Sequence, residues 1–333
     1  MYLNYIPALK AILSEKGKKA VILSHKNPDG DAIGASLGWK SYLSLKGWDV
    51  ETIMPNNFPK FLSWIPGCDA IQFADEMGET SFVEKLQEAD LIFCLDFNSL
   101  NRILFGEQLK FFKDKVVMID HHQLPEDFAA LPFSKPEACA TAELIIELIQ
   151  ELENGELLLD KDGATALYVG LLTDSGSFRF PSTSAETFRS AAALIDKGAD
   201  NAEIYRNIYD TSSQERLQLL AHTLHNCTTF YKDKGAALMM LSKKDMYKFN
   251  FQKGDAEGFV NYPLSVENIR LSALFKEDEG IVKISLRSKG DLAVNEISMK
   301  HFQGGGHTNA AGGKVDGGLK EAKELFEKVL NEL

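Results

Sequence analysis

Between residues 19 and 174, short apolar runs alternate with stretches whose apolar positions recur at helical spacing. "KAVILS" (19–24), "DVETIMP" (49–55), "ADLIFCLD" (89–96) and "KVVMID" (115–120) are short and rich in branched residues, as buried strands are. "AIGASLGWKSYLSLKG" (32–47) has a helix's period and a glycine stop. "ATAELIIELIQELE" (140–153) and "DGATALYVGLLTD" (162–174) also read as helices, the second with room for a strand. At the N-terminus Leu3, Ile6, Leu9, Ile12 and Leu13 mark one face of an amphipathic helix. This alternation predicts an α/β fold: a parallel sheet with helices on its faces.

From about residue 184 the chain becomes helical and polar, which reads as a connector. Beyond it lie the strand-like runs "GAALMMLS" (235–242), "IRLSALFKE" (269–277) and "GIVKISLRS" (280–288). A glycine-rich stretch and the helix "LKEAKELFEKVLNEL" (319–333) follow. A second, smaller α/β domain is therefore expected. The division predicted is a first domain over 1–195, a helical connector over 196–228 and a second domain over 229–333. A chain of 333 residues accommodates this.

Composition narrows the class. The chain is 44% hydrophobic and 25% charged, ordinary for a folded protein with a sizeable core. No apolar run approaches the roughly 20 residues of a membrane span. The N-terminus lacks the pattern of a signal peptide, so no membrane association and a cytoplasmic location are expected. The four cysteines are scattered and form no CxxC pair, which argues against a disulfide framework and a zinc knuckle. A net charge of −12 disfavours long duplex DNA as a partner and favours cations and small ligands bound through them.

Charge then collects where the apolar segments end. "SHKNPDGDAIGASLG" (24–38) places His25, Asp29 and Asp31 after the first run. The third run ends on Asp96, the fourth on Asp120, His121 and His122, and a further apolar segment ends on Asp174. In a parallel sheet the carboxyl ends of the strands share one edge, where ligands bind. Four segments thus aim charge at one place, and such a cluster of carboxylates repels itself without a cation. Each acid alone reads as a turn or cap residue; all of them together read as a metal site. Oxygen mixed with imidazole suits Mn²⁺, Mg²⁺ or Fe²⁺. So many ligands exceed the need of one ion and match two ions roughly 3.5–4 Å apart, the arrangement of phosphoester hydrolysis.

These segments are familiar as a set. "SHKNPDGDAIGASLG", "LDFNSLNR", "MIDHH" and "LLTDSGSFRFPST" resemble, in order, the four motifs of the DHH phosphoesterase superfamily. "RSKGDLAVNEISMKHFQGGGHTNAAGG" (287–313) resembles the glycine-rich motif of the DHHA1 domain. The branch resembled is that of the bifunctional oligoribonucleases/pAp phosphatases, or nanoRNases. The resemblance implies two divalent ions, Mn²⁺ first and Mg²⁺ second. It implies that His25 and Asp29 hold one, that Asp31 and His121 hold the other, and that Asp96 and Asp174 are shared. Asp120 would orient a histidine, His122 would face the substrate phosphate, and Arg102 would bind near it. In the second domain, Gly304, Gly305, Gly306 and His307 would contact the nucleotide end of the substrate through a close backbone approach, with Arg287 and Ser288 nearby. One departure stands out: family members often carry an asparagine shortly after the triplet, where this chain has Gln123, Leu124 and Pro125.

The implied function is hydrolysis of short single-stranded RNA or DNA oligonucleotides to mononucleotides, with dephosphorylation of pAp to AMP, in a cleft between the domains. A homodimer is implied as well. The alternatives are a cyclic-dinucleotide or linear-dinucleotide (pApA/pGpG) phosphodiesterase of the same superfamily and a non-catalytic nucleotide-binding protein. A lost metal ligand would favour the last; none is lost in the motifs.

Overall fold

In the computed structural model, which describes residues 2–333, the four apolar runs of the first half are strands, and two shorter segments extend their sheet at its edges. The strands are β1 (Lys19–Leu23), β2 (Asp49–Met54), β3 (Gln72–Phe73), β4 (Leu91–Leu95), β5 (Val116–Asp120) and β6 (Leu131–Ser134). They run in the order β3-β2-β1-β4-β5-β6, and every neighbouring pair is parallel. The order reverses between β1 and β4, and a doubly wound sheet opens its ligand crevice at the carboxyl ends beside such a switch.

The helices of this unit are α1 (Ile6–Leu13), α2 (Gly30–Leu45), α3 (Ala74–Glu88), α4 (Thr141–Leu152), α5 (Lys161–Asp174), α6 (Ala185–Asp196) and α7 (Asn201–Tyr209). Both faces of the sheet are covered, because alternate residues of each strand point to opposite sides. Ala20, Ile22, Phe93 and Ile119 join the larger core with α2, α4 and α5. Val21, Leu23, Cys94 and Met118 join the smaller one with Phe82 and Leu86 of α3.

Residues 162–174 are helical throughout, as their spacing predicts, with no strand among them, so Asp174 arrives on the last turn of α5. The reason is the packing of α5 on α2, which small residues bring very close. A methyl group on Gly34 would strike the Ala166 carbonyl oxygen and lie 2.8 Å from the Gly170 nitrogen. One on Gly170 would lie 2.7 Å from both the Ala142 Cβ and Asp31 Oδ1. Asp31 near the start of α2 and Asp174 at the end of α5 are carried in by this contact.

The chain divides into two compact units, Met1–Thr211 and Ser212–Leu333. The C-terminal unit contains α8 (Gln214–Asn226), β7 (Thr228–Tyr231), β8 (Ala236–Leu241), α9 (Lys243–Lys248), β9 (Leu271–Glu277), β10 (Ile281–Ser288), α10 (Val294–His301), β11 (Gly305–His307), β12 (Ala310–Asp316) and α11 (Leu319–Glu332). Its sheet has the order β11-β12-β10-β9-β8-β7 and is antiparallel except for the β8–β9 pair. Phe275, Val282 and Leu286 pack against Ile297 and Phe326 on one face. Met239, Leu241 and Leu274 pack against Leu219, Leu220 and Phe259 on the other. Among the described residues no helix is long and apolar enough to cross a membrane, and all four cysteines are free thiols.

Gly34→Ala is expected to force α2 and α5 apart and destabilise the N-terminal unit by ~1–3 kcal/mol, the usual penalty of overpacking. Thermal unfolding checks this; an unchanged midpoint would contradict the packing argument.

Candidate metal centre

The loop after β1 carries His25, whose Nδ1 donates to the Lys26 carbonyl at 2.9 Å. That bond turns Nε2 inward, 3.2 Å from Asp96 Oδ2 and 3.9 Å from Asp29 Oδ1. Asp29 caps α2: its Oδ1 accepts from the Asp31 and Ala32 nitrogens, each at 3.0 Å. Lys26 N–H donates to the Arg102 carbonyl at 2.7 Å, which ties this loop to the one after β4.

Asp96 follows β4 with φ +64, a left-handed backbone that Asp tolerates better than most residues. The residue is 2% exposed, and its carboxylate lies at the centre of the cluster. Donor atoms of His25, Asp29 and Asp96 fall within 4.8 Å of one another. So do those of Asp31, Asp96 and His121, and those of Asp96, Asp120 and His122. His121 Nδ1 donates to the Ala138 carbonyl at 3.1 Å, leaving Nε2 3.3 Å from Asp174 Oδ2 and 3.6 Å from Asp96 Oδ1. Asp120 grips His122 twice, through the backbone N–H at 3.0 Å and Nδ1 at 2.7 Å.

The N-terminal unit thus brings His25, Asp29, Asp31, Asp96, Asp120, His121, His122 and Asp174 together. Arg102 lies close enough for its charge to disfavour protonation of His25. The other named residues belong to the C-terminal unit. There the glycine-rich stretch is partly strand: Gly305–His307 pairs with Ala310–Gly312. A Cβ on Gly304 would strike the Gly312 carbonyl, and one on Gly306, where φ is +144, the Ala310 carbonyl, so the hairpin itself requires these two glycines. At Gly305 the nearest atom to such a Cβ is 3.9 Å away. Ser288 donates to the Leu292 carbonyl at 2.6 Å and accepts from Asn309 Nδ2 at 2.9 Å. Arg287, beside it at the end of β10, donates to the Leu286 carbonyl at 3.0 Å.

Electrostatics follow from crowding. Burial and the charges of Asp96 and Asp174 push the Asp31 carboxyl well above the ordinary range. Asp96 is driven the other way: burial opposes its charge, but the His25 bond and three nearby imidazoles outweigh that. Burial also opposes charge on His25, yet Asp96 and Asp29 raise it to about 9. His121 is raised too, by Asp96, Asp31 and Asp120 against its burial. Protonated imidazoles here do what a cation would do. Buried carboxylates with inward-facing Nε2 atoms are the donor set of a hard or borderline divalent ion, so the residues fit a metal.

Sequence reasoning missed the residues that hold this set in place. Asp31 accepts from the Thr141 and Ala142 nitrogens at 2.6 and 3.0 Å, so it caps α4 from another segment. Thr141 Oγ1 donates to Asp96 Oδ1 at 2.8 Å. Glu143 Oε2 accepts from the Cys139 nitrogen and fixes the turn that presents the Ala138 carbonyl to His121. The only signal was "ACATAE", small residues before a helix with no capping side chain at Ala140.

Comparison with known proteins decides the family. The model described as "DHH family, N-terminal domain" matches residues 19–171, and that of the "DHHA1 domain" matches 234–333. The bifunctional oligoribonuclease and PAP phosphatase NrnA of Thermus thermophilus is 30% identical over 93% of this chain and 87% of its own length. The chain belongs to the DHH family. It is a DHH phosphoesterase, hence a hydrolase, with a C-terminal DHHA1 domain. A crystal structure of an exopolyphosphatase-related protein from Bacteroides fragilis is 40% identical, with a TM-score of 0.92 over 99% of this chain and 96% of that one. The cyclic-di-AMP phosphodiesterase GdpP of Bacillus subtilis is 29% identical over 98% of this chain but only 49% of its own.

Thr141→Val removes a hydroxyl bond to Asp96 while keeping shape and is expected to weaken Mn²⁺ binding about 10–100-fold, with folding intact. Calorimetric titration checks it; unaltered affinity would show that Thr141 holds nothing that matters. Because His25 keeps its proton up to about pH 9, an entering ion must displace it. Mn²⁺ affinity is expected to rise from pH 6 toward about 9 and then level, with proton release on binding measured in buffers of different ionisation heat. Affinity that falls with pH would contradict the assignment.

Proposed function

We propose that this DHH phosphoesterase shortens RNA and DNA oligonucleotides of a few residues to mononucleotides and removes a phosphate from pAp, using two divalent ions. The observation that carries this is that, of the three groups Asp96 joins, two carry separate candidate ligands, one with His25 and Asp29 and one with Asp31 and His121, while the third, with Asp120 and His122, is taken up by the Asp120–His122 bond. Each group has its own imidazole, and one carboxylate is common to both. The names of relatives matched over nearly the whole chain support the substrate class. Mn²⁺ is the preferred ion and Mg²⁺ the substitute. When bound, such ions supply charge neutralisation and polarisation at a phosphoryl group.

The chain's own residues do the rest. Asp31 and Asp96 are held by backbone and hydroxyl donors, so their free lone pairs point in fixed directions. Asp174 completes the group around His121. Asp120 fixes the tautomer of His122 through Nδ1, so that Nε2 meets the substrate phosphate. Arg102 places a guanidinium fork on the same phosphate. In the C-terminal unit Gly305 and His307 hold the nucleotide end, with Arg287 and Ser288 behind them and Gly304 and Gly306 shaping the hairpin. Reduced thiols and a net charge of −12 suit a cytoplasmic enzyme of short substrates. A homodimer is the proposed assembly.

The second reading is hydrolysis of a cyclic or linear dinucleotide, favoured by the match to GdpP across 98% of this chain.

With Mn²⁺, the enzyme is expected to turn over a 5′-labelled RNA dinucleotide and pAp much faster than a long RNA, cyclic-di-AMP or pyrophosphate. Asp120→Ala should lower both favoured activities by at least ~100-fold, since His122 loses its orientation. Preference for the cyclic dinucleotide would replace the first reading by the second. Equal turnover in the variant would remove Asp120 and His122 from the site.

A further inference from the structure

Outside the site already described, a second group of unlike donor atoms converges in the C-terminal unit, where α8 ends and α9 begins. His222 sits in the last turns of α8, Cys227 caps that helix, and Asp245 lies in the first turn of α9. One donor atom from each falls within 4.8 Å of the other two. His222 Nε2 is 2.8 Å from Asp245 Oδ1, and these side chains are 17% and 24% exposed, so the group is reachable from solvent.

Local structure explains only part of this. Asp245 forms a capping box with Ser242, whose N–H and hydroxyl both reach Oδ2. That role occupies one carboxylate oxygen and requires neither an imidazole nor a thiol beside the other. The His222 ring lies against Phe249, with centroids 5.0 Å apart, which fixes its plane. The carbonyls at the end of α8 favour positive charge at this corner. Burial and the Asp245 charge push the Cys227 thiol up to about 11, so by itself it is no nucleophile at neutral pH. A bound cation reverses that balance, because a coordinating thiol gives up its proton.

We propose that His222, Cys227 and Asp245 form a separate metal site that takes Zn²⁺. Sulfur, nitrogen and oxygen together are a borderline-soft set suited to zinc, with water in the fourth position. Among the described residues, the groups that include Asp96 hold only imidazole and carboxylate donors, which suit harder ions. The two sites therefore sort metals by ligand type. Zinc at this corner ties α8 to α9 across the 227–242 segment that contains β7 and β8.

The test uses the Mn²⁺-loaded full-length protein, titrated with Zn²⁺ and, in parallel, with Co²⁺ as a spectroscopic substitute. Wild type is expected to bind Zn²⁺ and to show a sulfur-to-cobalt charge-transfer absorption. Cys227→Ser should abolish that absorption and weaken zinc binding at least ~10-fold. His222→Gln, which leaves the capping box intact, should weaken zinc binding likewise while keeping the sulfur band at high cobalt. No thiolate band in the wild type, or equal zinc affinity in both folded variants, would overturn the proposal.

Discussion

Two buried carboxylates, Asp31 and Asp96, are held within 4.8 Å of each other, and the N-terminal unit is organised around that constraint. Two like charges at that separation repel by roughly 3–4 kcal/mol at an effective dielectric of about 20. Withdrawing each carboxylate from water costs several kcal/mol more, and hydrogen bonds to charged groups, about 1.5–3 kcal/mol each, offset only part of that sum. The protein supplies them: two backbone N–H groups for Asp31 and the Thr141 hydroxyl for Asp96. What remains is met by positive charge from His25 and His121, whose protons are held above their ordinary range. On the proposed reading, a divalent ion would take the place of those protons as the neutralising charge.

The fold serves this by bringing charge from four directions. Parallel pairing sets the ends of β1, β4 and β5 on one edge. The close contact of α2 with α5 adds Asp31 and Asp174 from the helical layer. The N-terminus of α4 arrives with its donors unpaired by its own residues and finds the carboxylate of Asp31. Each arrangement is stable because its partner is present: α4 lacks a cap without Asp31, and Asp31 is an uncompensated buried charge without α4.

Much of this was legible in the sequence because it rests on period and position. Apolar runs of strand length placed β1, β2, β4 and β5, and the acids and histidines just beyond them marked the edge. The acids and histidines expected as ligands in the four motifs are brought close together in the N-terminal unit. The short edge strands β3 and β6 were not legible, since two and four residues carry little periodicity. The helix ending on Asp174 was legible, but room for a strand stayed open because α5 is buried nearly all round, and such a helix loses its polar stripe. Thr141 and Glu143 were missed for another reason. Their work is done across more than forty residues of chain at Asp96, or through a backbone nitrogen, and neither leaves a local pattern. In the C-terminal unit the glycine motif was visible, but the demand of its own hairpin at Gly304 and Gly306 appears only with the β11–β12 pairing.

The most direct test of the account is the number of Mn²⁺ ions bound per chain, measured by equilibrium titration in the wild type and in Asp96→Asn. The account predicts two ions in the wild type and, because one carboxylate serves both groups, loss or marked weakening of both in the variant. One ion in the wild type, or a variant that loses a single ion and keeps the other at full affinity, would contradict it.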